Sequence, residues 1–534
     1  MEALMAALPA GGGGAVAAAV GGLAAVAAVA GVRMGNKERA NTPPVTDEKY
    51  VRKEDEEMSH GHVISMYTAF VPGLPIIGNL LQLTEKKPHK TFAKWSDVYG
   101  PIYTIRTGAS SVAVVNSTEV AKEAMVAKFS SISTRKLPKA LSVLSRDKTM
   151  VATCDYGDFH KMVKRFVMAG LLGSSAQRQF RETRNMMMDN MLTTFHTLVA
   201  DDPHAPRNFR EVFKEELFRL SLIQGLGEDV SSVYVKEFGR DISKDEIYQI
   251  IVADMMMCVI EIDWRDFFPY LSWIPNKSFD TTVATTESRR TMVMRALIDQ
   301  QKERIARGKA KASYLDFLLA ENTLTDEQVT MLVWEAIIEG ADTTLVTTEW
   351  AMYELAKNPE KQDRLYREIK EVCGEDTVTE DHLPRLPYLN AVFHETLRRH
   401  SPVSLLPPRF VHETTTLAGY EVPAGTEVIV NVYACNMDKK EWEEPEEWRP
   451  ERFLNDGRFD VADMYKTIAF GAGRRVCAGS AQATGISCAA MARFVQEFAW
   501  TLREGDEDKV DTVQLMGYKL HPLYAYLSPR RGRQ

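Results

Sequence analysis

At 534 residues, 45% hydrophobic and 26% charged, the chain can bury a large core, and its length alone suggests more than one domain. A formal net charge of −8, with no basic stripe interleaved with aromatics, excludes a nucleic-acid partner. Six cysteines (154, 258, 373, 435, 477 and 488), without CxxC or regular spacing, argue against a disulfide framework and a structural zinc site and point to a reducing compartment.

The N-terminus reads differently from the rest. No charged residue occurs between Ala3 and Val32, and "AVAAAVGGLAAVAAVAGV" (15–32) is just long enough for a membrane span. Arg33, Lys37 and Arg39 follow it, which by the positive-inside tendency leaves the remainder cytoplasmic. Small residues near 28–31 also suit a cleaved signal peptide, and a plastid transit peptide would want more Ser and Arg. The expectation is an anchor over 1–32 and a linker with a charged insertion over 33–71, stiffened by Pro43 and Pro44. From 72 to 534 no repeat or composition break appears. That body reads as one catalytic unit, mainly α with small β-sheets, the strands including the segment 101–115.

One long helix is predicted over 325–359. Thr325 and Gln328 form a capping-box pattern, and Asn358-Pro359 supplies the stop. So apolar a helix must run through the interior, yet its middle carries Glu339, Gly340, Asp342, Thr343 and Thr344. Burying these groups is costly unless they are paired. They can be structural, with hydroxyls bonded to carbonyls one turn earlier and the acid paired to a lysine, or they can form a site.

Further on, Glu395 and Arg398 lie three apart on a helix predicted over 386–402, hence on one face. Arg452 in "WRPERF" (448–453) can complete a Glu-Arg-Arg cluster. Then comes "FGAGRRVCAGSA" (470–481), which crowds glycines and arginines around Cys477. An inert buried thiol, a nucleophile or a metal ligand would each fit this cysteine taken alone.

In order, the D-T-T of the long helix, E-x-x-R, P-E-R-F and F-x-x-G-x-R-x-C-x-G resemble the cytochrome P-450 family of haem-thiolate monooxygenases, over residues 72 to 530. The resemblance implies that family's fold, with the long central helix passing over haem (iron protoporphyrin IX). It implies Cys477 as the axial ligand of the iron, Phe470 shielding the thiolate, and Arg475 on a propionate. Gly473 and Gly479 would let backbone N–H groups approach the sulfur, and a helix beginning near Ala478 would add its positive end. His160 and Lys164 in "YGDFHKMVKRF" (156–166), with Arg409, would hold the propionates. Asp342 and Thr343 would deliver protons during oxygen activation, and Gly340 would leave room for O2. Glu395, Arg398 and Arg452 would serve folding and haem retention. Electrons would come from NADPH through cytochrome P-450 reductase.

Two departures narrow the resemblance. The family usually has Ala or Gly where this chain has Glu339, and Trp and Arg where it has His160 and Lys164. With segments 85–105, 129–137, 263–279 and 345–359, these exchanges are similar to the plant diterpene oxidases of the family. The similarity implies three successive oxidations of one methyl of a tetracyclic diterpene, through alcohol and aldehyde to acid, as in gibberellin biosynthesis. Paralogues in defence metabolism oxidise related diterpenes, and a methylene difference in an apolar pocket is worth only ~1–3 kcal/mol. The membrane concerned would be the endoplasmic reticulum or the plastid outer envelope.

A hydrocarbon has no hydrogen-bonding handle, so its pocket must work by shape and apolar contact. Val403, Leu405, Leu406 and Met516 stand where the family lines its pocket. Each oxidation makes the intermediate more polar, however, and an apolar site should release it; nothing in the sequence accounts for retention. Two rival classes are a haem-thiolate isomerase that needs neither O2 nor reductase, and a haem sensor or carrier. An intact Asp342-Thr343 argues against the first. Lys466 and Arg474 are expected to meet an acidic reductase face.

Overall fold

The computed structural model describes residues 66–83, 88–309, 312–461, 466–511 and 516–530. The anchor expected at 1–32 and the linker as far as 65 lie outside them. Among the described residues no helix is long and apolar enough to cross a membrane.

Helices dominate. Those that position the site are α1 (Asp158–Val167), α2 (Phe209–Leu226), α3 (Asp326–Lys357), α4 (Pro387–Arg399) and α5 (Ser480–Glu497). The largest sheet holds β1 (Ala69–Phe70), β2 (Ile102–Thr107), β3 (Ser110–Val115), β4 (Arg409–Phe410) and β5 (Glu427–Val430), in the order β1-β2-β3-β5-β4. Strands β2 and β3 form an antiparallel hairpin. Its Gly108 has φ +62°, and a Cβ there would stand 2.2 Å from the Phe267 carbonyl, so no other residue fits. β5 joins β3 in parallel, pairing Val115 with Val430.

α3 begins where its capping box predicts. The Gln328 N–H donates to Thr325 Oγ1 at 3.2 Å, and the Thr325 N–H donates to Gln328 Oε1 at 2.9 Å. It ends at Lys357, because Asn358 is pushed out of helical geometry ahead of Pro359. At ~1.5 Å per residue such a helix crosses most of the molecule. Its indoles hold it in place: Trp334 donates to the Ile251 carbonyl and Trp350 to the Gly517 carbonyl, each at 2.8 Å. Trp350 also stacks on His400 at 4.1 Å. Burying each such ring is worth roughly 1.5–3 kcal/mol.

From Met331 to Ala356 this helix is buried except at Ala336, Glu339, Gly340 and Thr343. Those positions lie three and four apart and form one stripe. α2 packs close beside it, because Gly225 and Ser221 meet Ile337 and Gly340. A Cβ on Gly225 would stand 3.0 Å from Ile337 Cγ1, and one on Gly340 would stand 3.2 Å from Ser221 Oγ. Gly340 therefore brings two helices together, which differs from the expectation that it makes room for O2.

Candidate active site

Cys477 lies on the loop between Phe470 and the start of α5, and its N–H donates to the Phe470 carbonyl at 2.9 Å. Cys477 is an exposed residue although protein encloses its thiol on most sides, so it faces an internal hollow. Glu339, from the stripe on α3, is likewise open and likewise enclosed, and its charge acts on the Cys477 thiol. The hollow lies between them.

Two glycines shape the loop for different reasons. Gly473 has φ +71°, and a Cβ there would stand 2.4 Å from the Met125 carbonyl, so it lets the loop seat on its neighbour. Gly479 is the one at the sulfur: a Cβ would lie 4.0 Å from Cys477 Sγ. It also precedes α5, which begins at Ser480, two residues after the expected start. Burial pushes the Cys477 thiol up, and Glu339 adds to this, while the Gly479 and Ser480 N–H groups and the Lys164 ammonium pull it down.

Beside the sulfur is a group of basic side chains. Arg475 donates to the Ser133 and Cys154 carbonyls at 3.2 and 2.7 Å, leaving Nε and Nη1 buried without a partner. Arg409 leaves Nη1 orphaned, Arg135 leaves Nε and His160 leaves Nδ1. Burial and then like charge, led by Arg475, lower Arg135 to about 9 and His160 to about 4. Arg409 falls to about 10 through burial and then Arg475. Asp155 shares the neighbourhood but is taken by the Arg135 N–H at 3.0 Å and Lys148 Nζ at 2.7 Å. Lys164 differs from the other expected members, since its Nζ donates to the Arg474 carbonyl at 2.8 Å. The sequence reading missed Arg135, because nothing in "FSSISTRKL" sets it apart from an ordinary surface arginine.

On the opposite side, the Thr343 hydroxyl donates to the Glu339 carbonyl at 3.4 Å, and those of Thr347 and Thr348 bond back in the same way. Asp342 is buried away from the hollow. It accepts from Tyr248 at 3.2 Å and also from Tyr518, rather than pairing with a lysine, and burial raises its pKa. Glu335, one turn before Glu339, was also missed. It accepts from the Val151 and Ala152 N–H groups, both at 2.8 Å, and hydrogen-bonds the Glu339 carboxyl. Burial raises both carboxyls above the usual range.

Of the expected pocket residues, Val403, Leu405, Leu406 and Met516 are half-buried. Leu405 packs on the cluster of Val112 and Val114, and Leu406 Cδ1 lies 3.9 Å from where a Cβ on Gly471 would stand. The predicted Glu-Arg-Arg cluster closes. Glu395 accepts from Arg398 Nε at 2.7 Å and Nη2 at 2.8 Å, and from Arg452 Nε at 3.0 Å, and Arg398 also caps the Asn436, Pro445 and Glu447 carbonyls. Arg474 is exposed, held over Phe129 and Tyr156, with Lys161 and Arg165 of α1 exposed on the same loop's flank. Lys466 lies apart from these, over the Trp442 ring at 5.9 Å.

Residues 69–527 match the family model described as Cytochrome P-450. An ent-kaurene oxidase 2 of Oryza sativa subsp. japonica is 73% identical over 98% of this chain and 99% of its own length. An ent-kaurene oxidase-like 3 of the same species is 78% identical over 86% of this chain and 91% of its own. An ent-sandaracopimaradiene 3-hydroxylase, also from that species, is 68% identical over 86% of this chain and 90% of its own. With a cysteine loop facing a long central helix across an internal hollow, this chain belongs to the cytochrome P-450 family of haem monooxygenases, which draw on O2 and on electrons passed from NADPH by a reductase.

Proposed function

We propose that this chain is an ent-kaurene oxidase, converting the C-19 methyl of ent-kaurene through alcohol and aldehyde to ent-kaurenoic acid, a step towards gibberellins. The observation that carries the reading is 73% identity over 98% of the chain to a relative of that name, together with a hollow walled by Cys477 and the α3 stripe. The residues fit haem. Orphaned guanidinium donors on Arg135, Arg409 and Arg475 amount to positive charge awaiting carboxylates, which the propionates would provide, and His160, held neutral by burial, would add a hydrogen bond. Cys477 would hold the iron, with Gly479 leaving its sulfur uncrowded and Phe470 beside it. Lys164 would instead brace the cysteine loop through the Arg474 carbonyl. Bound there, haem supplies the activation of O2.

The chain's own groups do the remainder. Thr343 would offer its hydroxyl to the hollow and Asp342 would hold a proton behind it, steadied by Tyr248 and Tyr518. Apolar side chains such as Leu406 would orient a hydrocarbon by shape alone. Exposed Lys161, Arg165 and Arg474 would receive the reductase. An Arg474→Glu variant should slow electron transfer at low salt, and an unchanged rate would remove Arg474 from that surface.

A membrane face is supported by exposed apolar residues on two segments joined through the β2–β3 hairpin. Tyr67 (70% exposed), Phe70, Leu74 and Ile76 come from one, and Ile262, Tyr270 and Trp273 (78% exposed) from the other. The Gly78 region pairs with Thr107, and the Ala109 N–H donates to the Phe267 carbonyl at 2.8 Å, which joins them. Such a patch beside the expected anchor suits docking on a bilayer.

The test is reconstitution with a P-450 reductase, NADPH and either ent-kaurene or ent-sandaracopimaradiene, with products identified by mass. ent-Kaurenoic acid from ent-kaurene is expected. Hydroxylation of ent-sandaracopimaradiene alone would replace this reading with the activity named for the 68%-identical relative.

A further inference from the structure

An oxidase that works three times on one carbon must hold two intermediates more polar than its substrate. A wall of leucines and valines favours their escape as soon as a hydroxyl appears, because that hydroxyl would be buried without a partner. Among the polar side chains on the α3 stripe, two face the hollow: Thr343, whose hydroxyl is engaged with the Glu339 carbonyl, and Glu339 itself. Among the described residues the Glu339 carboxyl is hydrogen-bonded to Glu335 alone, whose own carboxyl is anchored by the Val151 and Ala152 N–H groups at 2.8 Å each.

We propose that Glu339 is the intermediate-retaining residue of this oxidase: its carboxyl hydrogen-bonds the hydroxyl of the alcohol and the oxygen of the aldehyde, and so keeps both over the reacting centre until the acid is formed. The inference rests on the proposed ent-kaurene reading and assigns a chemical role within it. The paired arrangement explains why the hydrocarbon is not penalised. While it is bound, Glu339 keeps Glu335 as its hydrogen-bond partner, so its carboxyl is not stranded. When the first oxidation installs a hydroxyl, an acceptor oxygen and a shared proton lie ready on the acid pair. Burial raises both carboxyls, which favours a second proton on Glu339 that it can donate to the aldehyde carbonyl while Glu335 keeps the proton they share. The final carboxylic acid gives up its own proton to solvent as it leaves. A carboxylate next to two carboxyls in an enclosed space is unfavourable, so the same feature that holds the intermediates expels the product.

Glu339→Ala, Glu339→Met and Glu339→Gln, each carrying haem, are compared with the parent in two measurements. One is the dissociation constant of ent-kaurene and of its C-19 alcohol, read from the substrate-induced spectral shift. The other is isotope dilution, in which labelled ent-kaurene is turned over in a pool of unlabelled alcohol, and the label reaching acid is counted. For Ala and Met, the ratio of alcohol to hydrocarbon dissociation constants should rise roughly tenfold, and the label in acid should fall as labelled alcohol escapes. Gln, which can both donate and accept, should restore much of the retention. Met fills the space of the glutamate without polar atoms, so it decides the question if the Ala variant fails to take up haem. An unchanged ratio and undiluted label in Ala or Met would overturn the role of Glu339. A parent enzyme that makes no acid from ent-kaurene would instead overturn the function on which it rests.

Discussion

Two groups of buried charge can be set side by side. Around Glu395 the charges are complete: both side chains of the Glu395–Arg398 pair are fully buried, Arg452 closes the other edge, and backbone carbonyls take the remaining guanidinium protons. Around Arg475 they are incomplete: Arg135, His160, Arg409 and Arg475 carry buried nitrogens without a partner, and Arg475 depresses the pKa values of the other three. A protein has no folding reason to assemble cations without anions, because unpaired burial costs free energy. The first group therefore supports the fold, and the second offers the donors that the proposed haem site would use. Both contain arginines from distant segments, and only the accounting of partners separates them.

The comparison is most sharply broken at the sulfur. Cys477→Ser should abolish diterpene oxidation and the red-shifted Soret band of the reduced, CO-bound protein, while leaving the Glu395 cluster and the fold intact. Full activity in this variant would remove the ligand that gives the cations their purpose. Next in size is Glu395→Ala, which strands two buried guanidinium groups. It should destabilise the protein by about 3–5 kcal/mol, measured by denaturant unfolding with and without haem. A loss of haem at unchanged stability would mean that this cluster, too, is part of a site.

Arg409→Met should behave in the opposite manner. Without haem, stability should be unchanged or rise by up to about 1 kcal/mol, because a repelled cation has been removed. Haem dissociation should nevertheless quicken roughly tenfold, as followed by transfer to an acceptor protein. Equal destabilisation of both forms would erase the contrast with Glu395. The smallest effect concerns pH. His160 falls from 6.5 to about 4, chiefly through burial and then Arg475, so the unfolded chain binds more protons than the folded one between those values. Stability of the haem-free protein should therefore decline as pH drops from 6.5 towards 4, and a His160→Gln variant should show a shallower slope. A slope unchanged by that substitution would place the sensitivity elsewhere, His394 being also lowered to about 4 by burial.

How far the site could be read in advance varied with its reach along the chain. The α3 cap was legible because Thr325 and Gln328 are neighbours on one turn, and the Glu395–Arg398 pair because three residues separate them. Gly473 was expected to serve the sulfur, yet it seats the loop on the Met125 carbonyl, a contact between segments far apart in the chain. Gly340 was assigned to O2, and its contact with Ser221 of α2 had no signal in the sequence. Tyr248 and Tyr518 stand on either side of Asp342 from positions that no local pattern connects to it.

From order and spacing alone, the chain's letters settled its family resemblance, the long interior helix with both its ends, and the cysteine that closes the motif. These depend on capping, periodicity and short-range neighbours, whose energetics are local. Only the folded molecule decided which side of α3 faces the hollow, that Arg135 joins the group around Arg475, and that the Val151 and Ala152 N–H groups anchor Glu335. Those facts arise from long-range packing, where side chains hundreds of residues apart meet because the core has room for one arrangement only.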